Sequence, residues 1–342
     1  MELIRGLHNL KPHHRGSVVT IGNFDGVHRG HQALLRRLRD LAHAQHLPLT
    51  VVVFEPQPRE YFGAEQAPPR LTRLKDKLVL LARCGVDRVL CLAFNRRLQE
   101  LSGRAFIEQV LVEGLGARHV VVGDDFRFGC DRQGDFTVLN EYGAQHGFET
   151  EHAQTFQLAD ERVSSTRART LLASGNFRQV ATLLGRAYRI DGRVRRDRQL
   201  GRTLDVPTAN LPLPTRPLAL RGVYAVAVKL EGEAHARWGV ANIGWRPTVG
   251  SQRPVLEVHL LDFDGDLYGQ RMSVIPCQRL RGERHFEGIE QLKRQLMNDI
   301  AMAKQYWQHI MPYLKAGLLD TLFDEAPSAW QVLATVPAPT TT

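Results

Sequence analysis

Over residues 17 to about 185, short apolar runs alternate with helix-spaced segments, and this alternation restricts the fold more than any other feature. SVVTIGNF (17–24), LTVVVFEP (49–56), DRVLCLAF (87–94) and ARHVVVGDDF (117–126) have strand length and are rich in valine, leucine and phenylalanine. Between them lie HQALLRRLRDLAHAQ (31–45), RLTRLKDKLVLLARCG (70–85) and SGRAFIEQVLVEGLG (102–116), whose apolar residues recur at helical spacing. In the first of these, Ala33, Leu34, Leu38, Leu41 and Ala42 mark the apolar side. Such a pattern predicts a parallel, Rossmann-like α/β sheet with helices on both faces and ligands at the carboxyl ends of its strands.

After about Arg186 short strands take over: YRIDGRVRR, GVYAVAVKLEG, RWGVANIG, VLEVHLLDFDG and QRMSVIPCQRLRG, separated by Gly, Pro and Asp. That spacing predicts a small antiparallel β-barrel. One amphipathic C-terminal helix is expected over residues 288–315, with Ile289, Leu292, Leu296, Ile300 and Ala303 on its inner face. The chain is too long for one ordinary core, so the expected division is 1–185, 186–315 and a C-terminal extension, 316–342, with a disordered end.

Forty-five basic against 36 acidic residues give a net charge of +9. This balance suits acidic small molecules or nucleic acid, and the scatter of the arginines along the chain favours the former, so no nucleic-acid partner is expected. The four cysteines have no CxxC spacing and read as reduced thiols. The first residues lack a signal-like apolar run, and no segment is apolar enough to span a bilayer, so a cytoplasmic protein without membrane contact is expected. A monomer or weak homo-oligomer is the expected state.

The chemistry concentrates in GNFDGVHRGH (22–31), where the first strand turns into the first helix. Gly22, Gly26 and Gly30 allow close backbone approach, and the helix-start amides attract an anion. His28 and His31 lie three apart and so share one side of the first helical turn, while Asp25 is a candidate cap or metal-side acceptor. A capped turn with two solvated histidines is the competing reading of HxGH alone. The decamer resembles the GxFDGxHxGH signature of nucleotidyltransferases, in the version found in bacterial bifunctional riboflavin kinase/FMN adenylyltransferases.

That resemblance implies an α/β nucleotidyltransferase domain followed by a small antiparallel β-barrel riboflavin kinase domain with a C-terminal helix. Its activities would be ATP-dependent phosphorylation of riboflavin to FMN, and adenylylation of FMN to FAD with release of pyrophosphate. His28 and His31 would steady the ATP triphosphate while the flavin phosphate attacks, with Gly22, Phe24, Asp25 and Gly30 also on the nucleotide side. GDDFRFG (123–129) resembles a second nucleotide-side motif. Asp125 would there face the nucleotide or its Mg2+, and Phe126 and Phe128 would flank an aromatic ring. RVSSTRAR (162–169) resembles the element that binds the outgoing phosphates, through Arg162, Ser165, Thr166 and Arg169.

In GRTLDVPTANL (201–211), PTAN resembles the riboflavin kinase motif, which implies that Thr208 and Asn210 hold Mg2+ and phosphates, with Gly201 and Arg202 beside them. On an extended segment Thr208 and Asn210 project to the same side. Glu257, in VLEVHLLDF, corresponds to the family's general base for the ribityl hydroxyl and shares a face with His259.

Three departures stand out. Gln57 occupies a position where many relatives carry His, and Arg196 with Asp197 stand where kinases usually have His-Gly. Asp205 replaces a glycine. Two alternatives therefore stay open: an FMN adenylyltransferase with a weak or regulatory kinase half, and a non-catalytic flavin- or nucleotide-sensing module that binds RNA. Adenylylation of a different phosphate-bearing acceptor is a lesser one.

Overall fold

The computed structural model describes residues 1–196, 204, 206–214, 218–248, 251–313, 320, 322 and 323. Arg198, Gly201, Arg202, Asp197, Asp205 and nearly all of the 316–342 extension lie outside the described residues. Two compact units divide the chain, Met1–Ser165 and Thr166–Thr342.

In the first unit, β1 (Glu2–Arg5), β2 (Ser17–Ile21), β3 (Leu49–Glu55), β4 (Arg88–Ala93), β5 (Ala117–Val122) and β6 (Glu149–His152) form one sheet. Its order is β1-β4-β3-β2-β5-β6, and every neighbouring pair is parallel. Successive residues point to opposite faces, so Val18, Val51, Val53 and Val89 pack under Leu35, Leu38 and Leu81, whereas Val19, Val52, Leu90 and Val120 pack against Ile107 and Leu111. The covering helices are α1 (Arg29–Ala44), α2 (Pro58–Phe62), α3 (Leu74–Arg83), α4 (Arg96–Gln99), α5 (Gly103–Phe106) and α6 (Phe136–His146). Ser102 caps α5, which runs on as a π-helical stretch, Ile107–Gly114. A two-stranded ribbon, β7 (Gln157–Leu158) and β8 (Glu161–Arg162), follows β6.

The direction of strand addition reverses at β2: the chain moves outward to β3 and β4, then returns to place β5 on the other side. A crevice for ligands opens at such a reversal, beyond the carboxyl ends of the strands. β2 itself ends at Ile21, earlier than the apolar run predicts, because Phe24, Val27 and Gly26 all adopt positive φ (45°, 37° and 82°). The strand β1 has no counterpart in the expectations; ELIR is short and half charged, and it forms on an edge against β4.

The second unit begins with α7 (Ser165–Ala173) at the division and α8 (Phe177–Leu184). The strands β9 (Ile190–Arg193), β10 (Ala209–Pro212), β11 (Gly222–Leu230), β12 (Arg237–Thr248), β13 (Ser251–Leu260) and β14 (Arg271–Arg281) follow. They form an antiparallel sheet in the order β10-β13-β12-β11-β14-β9. An Arg195–Asn210 bridge, with the Arg195 amide donating to the Asn210 carbonyl at 2.8 Å, joins its two ends into a barrel.

Its long helix α9 (Ile289–Ile310) buries Ala303, Trp307 and Ile310 against Ala225, Ala227, Ile275 and Trp238. Two features of this helix differ from expectation. Ile289 is 54% exposed, and the inner face includes a carboxylate, Asp299, which is 1% exposed. Arg281 of β14 meets it with Nε and a terminal nitrogen at 2.9 and 2.8 Å. All four cysteines are free, Cys91 buried and the others half-buried. No described helix is long and apolar enough to cross a membrane.

Candidate functional sites

The turn after β2 is held from below. Its first amide, Gly22 N–H, donates to Val52 of β3, and the Phe24 side chain is buried with its ring 4.9 Å from that of His31. Phe24 therefore supports His31 from the core. His28, not Asp25, caps α1: its Nδ1 accepts from the His31 amide at 3.3 Å. The two imidazoles stack, centroids 3.6 Å apart and planes 15° from parallel. Gly30 is required by this packing, since a Cβ there would lie 3.2 Å from His28 Nδ1 and 3.5 Å from Phe156.

Asp25 does different work from a cap. Its buried carboxylate accepts from the amides of Leu71 and Thr72 and from the Thr72 hydroxyl, at 3.0–3.2 Å. Thr72 Oγ1 in turn accepts the Gly26 amide at 3.1 Å, and the Asp25 carbonyl accepts the Ser165 hydroxyl at 2.8 Å. Residues 46 and 140 apart in sequence thus converge on one turn. No local pattern announces such contacts.

At the carboxyl end of β3, Arg70 is clamped between Glu55 and Glu60, with both terminal nitrogens on Glu55 at 2.8–2.9 Å. Burial works against its charge, but the two carboxylates outweigh burial and raise its pKa further. Gln57 starts α2 with its Nε2 buried and without a hydrogen-bond partner among the described residues. Beside it Tyr61, Phe62 and Phe94 meet edge-on at 5.3–5.7 Å, and Phe62 is 63% exposed. This exposed aromatic cluster is absent from the sequence-based expectations because its members come from two separate strand ends.

Asp125 lies exposed in the loop after β5, while neighbouring Asp124 accepts from Thr155 at 3.3 Å. The ligand-flanking role expected for Phe126 and Phe128 does not fit: they stack on each other at 5.3 Å, and Phe128 belongs to the core beside Phe106. Arg162 is exposed on β8; Thr166 and Arg169 occupy the start of α7, three residues apart.

The barrel builds a second site from strand register. Asn210 of β10, Glu257 of β13 and Asn242 of β12 are direct cross-strand partners, so their side chains stand in a row on one face. The Asn242 amide donates to Glu257 Oε2 at 3.3 Å. Asn210 donates to the Thr208 carbonyl at 3.3 Å, while its Oδ1 is buried with no hydrogen-bond partner among the described residues. The ring of His259 is 2.9 Å from the Pro207 carbonyl and ties the PTAN segment to β13.

Thr208 borders two cavities. One, about 240 Å³, is lined by Glu257, Asn242 and the apolar side chains of Trp245, Phe286, Leu292 and Ile300. The other, about 420 Å³, is lined by Phe263, Asp264, Asp266 and Tyr268. Arg196 lies with its guanidinium 5.0 Å above the Tyr268 ring.

Among the described residues, Glu2, His13 and His14 are close enough together to chelate a metal. Two of them are joined by a hydrogen bond: His14 Nδ1 accepts from the Lys11 amide, which leaves the ring proton on Nε2 to be donated to Glu2 at 3.0 Å. This bond holds the Glu2 carboxyl below its ordinary value.

Residues 10–167 match the FAD synthetase family model and residues 184–307 the riboflavin kinase model. The bifunctional riboflavin kinase/FMN adenylyltransferase of Pseudomonas fluorescens is 54% identical over 306 residues, covering 89% of this chain and 97% of that protein. The enzyme of the same description from Escherichia coli K12 is 47% identical over 308 residues, covering 90% and 98%. A solved structure from Streptococcus pneumoniae, described as a macrolide-efflux protein, aligns with 89% of this chain and 99% of its own at 27% identity, with a TM-score of 0.71.

Proposed function

The chain belongs to the family of bifunctional riboflavin kinase/FMN adenylyltransferases, and from that membership we propose how its own residues divide two successive reactions. The barrel half, 186–315, transfers the terminal phosphoryl group of ATP to riboflavin and gives FMN. The sheet half, 1–185, joins the AMP part of a second ATP to the FMN phosphate, giving FAD and pyrophosphate.

In the barrel, Glu257 takes the proton from the ribityl hydroxyl, which as a neutral alcohol gains from a base. Asn242 fixes the orientation of that carboxylate. The donor set fits Mg2+: a threonine hydroxyl and an amide oxygen, Asn210 Oδ1, buried and lacking a donor among the described residues. Thr208 and Asn210 would hold the ion, which when bound neutralises phosphate charge. Gly201 and Arg202, which the resemblance puts beside them, lie outside the described residues.

In the sheet half the nucleophile is already an anion, so the task is placement and charge stabilisation. His28 and His31 present their stacked edges, with the amides of Gly22 and Gly30 and the start of α1, to the triphosphate. Arg162 and Ser165 take the departing pyrophosphate, and Asp125 is a second candidate for Mg2+. Phe24 and Asp25 act through the turn they hold. The exposed Tyr61, Phe62 and Phe94 cluster gives the flavin ring an aromatic surface at the carboxyl ends of β3 and β4. We place the enzyme in the cytoplasm, as a monomer or weak homo-oligomer without a nucleic-acid partner.

The single observation that carries this reading is the row of Asn210, Glu257 and Asn242 in register beside a cavity with an apolar wall. Riboflavin with Mg2+ and ATP should yield both FMN and FAD on chromatography; finding neither would refute the assignment. A second reading, with a weak kinase half, is favoured by Arg196, whose guanidinium rests on Tyr268. Under it, FAD accumulates only when FMN is supplied.

A further inference from the structure

Glu283, which follows β14, lines the 240 Å³ cavity together with Glu257 and Asn242. A glycine makes room for it there. Gly244 of β12 stands two residues after Asn242, so the two share a face of the strand, and Gly244 pairs with Val255 as Asn242 pairs with Glu257. The Glu283 carboxylate fills the space that a side chain at 244 would need: a Cβ there would collide with Oε1 and lie 3.1 Å from the carboxyl carbon. Glu283 therefore adds a polar group to the row of Asn210, Glu257 and Asn242, one strand repeat, about 7 Å, farther along the face.

The opposite direction along this face leads to the second cavity. His259 pairs with Val240, on the other side of the row from Gly244, and its ring bonds the Pro207 carbonyl. Thr208, next to Ala209 of the Ala209–Val258 pair, borders the 420 Å³ cavity on that side. The order is thus Thr208 and His259, then Glu257 with Asn242, then Glu283. A phosphate donor held at Thr208 leaves the rest of the acceptor to extend toward Glu283. Riboflavin carries its reacting hydroxyl at the free end of a five-carbon chain, and its other hydroxyls run back toward the ring. One strand repeat matches the span of that chain.

A carboxylate can only accept hydrogen bonds, and it needs a donor. Of the cations that line the cavity, Arg281 is bound by Asp299, and neither it nor Arg284 forms an ion pair with Glu283 among the described residues. We propose that Glu283 determines substrate specificity in the kinase reaction: its carboxylate accepts from the ribityl hydroxyl nearest the flavin ring, so that the barrel selects a flavin with its full polyol. The inference rests on reading the barrel half as the riboflavin kinase. Two carboxylates then divide the work, Glu257 at the hydroxyl that reacts and Glu283 at one that does not. No bond changes at Glu283, so its contact is equal before and during phosphoryl transfer and its loss belongs in KM.

The test uses the full chain with Mg2+ and ATP. In Glu283→Ala the KM for riboflavin should rise by about tenfold with kcat within about twofold, the retained kcat showing that the barrel is folded. 2′-Deoxyriboflavin lacks the hydroxyl next to the ring. The unaltered chain should prefer riboflavin to it by about tenfold in kcat/KM, and Glu283→Ala should use the two flavins equally. A purely structural role would instead weaken both flavins by the same factor. Gly244→Ala, which displaces the carboxylate, should copy Glu283→Ala and add little to it in the double variant. An unchanged KM in Glu283→Ala, a preference for riboflavin that survives the substitution, or a loss confined to kcat would each overturn the proposal. If the unaltered chain forms no FMN from riboflavin, the kinase reading of the barrel falls; if it forms FMN but uses both flavins equally, only the role of Glu283 falls.

Discussion

His28 and His31 lie ring on ring at 3.6 Å, and Nδ1 of the same His28 ring accepts the His31 amide. One side chain is both helix cap and partner of the stack. Replacing either imidazole by alanine should lower FAD formation by about 100-fold or more. His28→Ala should in addition cost about 1 kcal/mol of stability through the lost cap, visible as a lower melting temperature that His31→Ala does not share.

The kinase half gives the complementary result. Glu257→Gln should reduce FMN formation by about 100-fold or more while FAD formation from supplied FMN is unchanged. Asn242→Ala, which removes one bond to that carboxylate, should act on kcat in the same reaction and to a smaller degree. Separate assays with riboflavin and with FMN check both.

Arg281 and Asp299 form a buried pair under the 240 Å³ cavity, and Gln295 adds a bond to Asp299 at 2.8 Å. Removing one partner strands a charge, so Asp299→Ala should cost about 3 kcal/mol. Calorimetry should show the loss in the transition of the barrel half. FAD formation from FMN at moderate temperature should persist.

Arg196 stacks on Tyr268 at the border of the larger cavity, a fixed cation beside the proposed ATP phosphates. Arg196→Ala should raise the KM for ATP in FMN formation by about fivefold, and the difference from the unaltered chain should shrink as salt is raised. An unchanged KM would remove Arg196 from the nucleotide site.

The parts of this molecule readable from sequence are those whose cause is local. Repeating apolar runs predict β2 to β5, and an alternating strand places Glu257 on the face it shares with His259. The contacts of Asp25 with Leu71 and Thr72 and the Arg281–Asp299 pair were not readable. Each depends on two elements meeting in space, and a polar residue gives the same local signal whether it meets solvent or a buried partner. Asp299 shows the cost of periodicity alone: it sits among apolar positions on the inner face of α9.

The row of Asn210, Glu257 and Asn242 exists only in one alignment of three hydrogen-bonded strands. Slipping β10 by a single residue would present Ala209 or Leu211 opposite the carboxylate and turn the amide to the far side of the barrel wall. Deleting or inserting one amino acid between Pro207 and the strand should therefore be as damaging as altering the base itself, though every chemically active side chain would still be present.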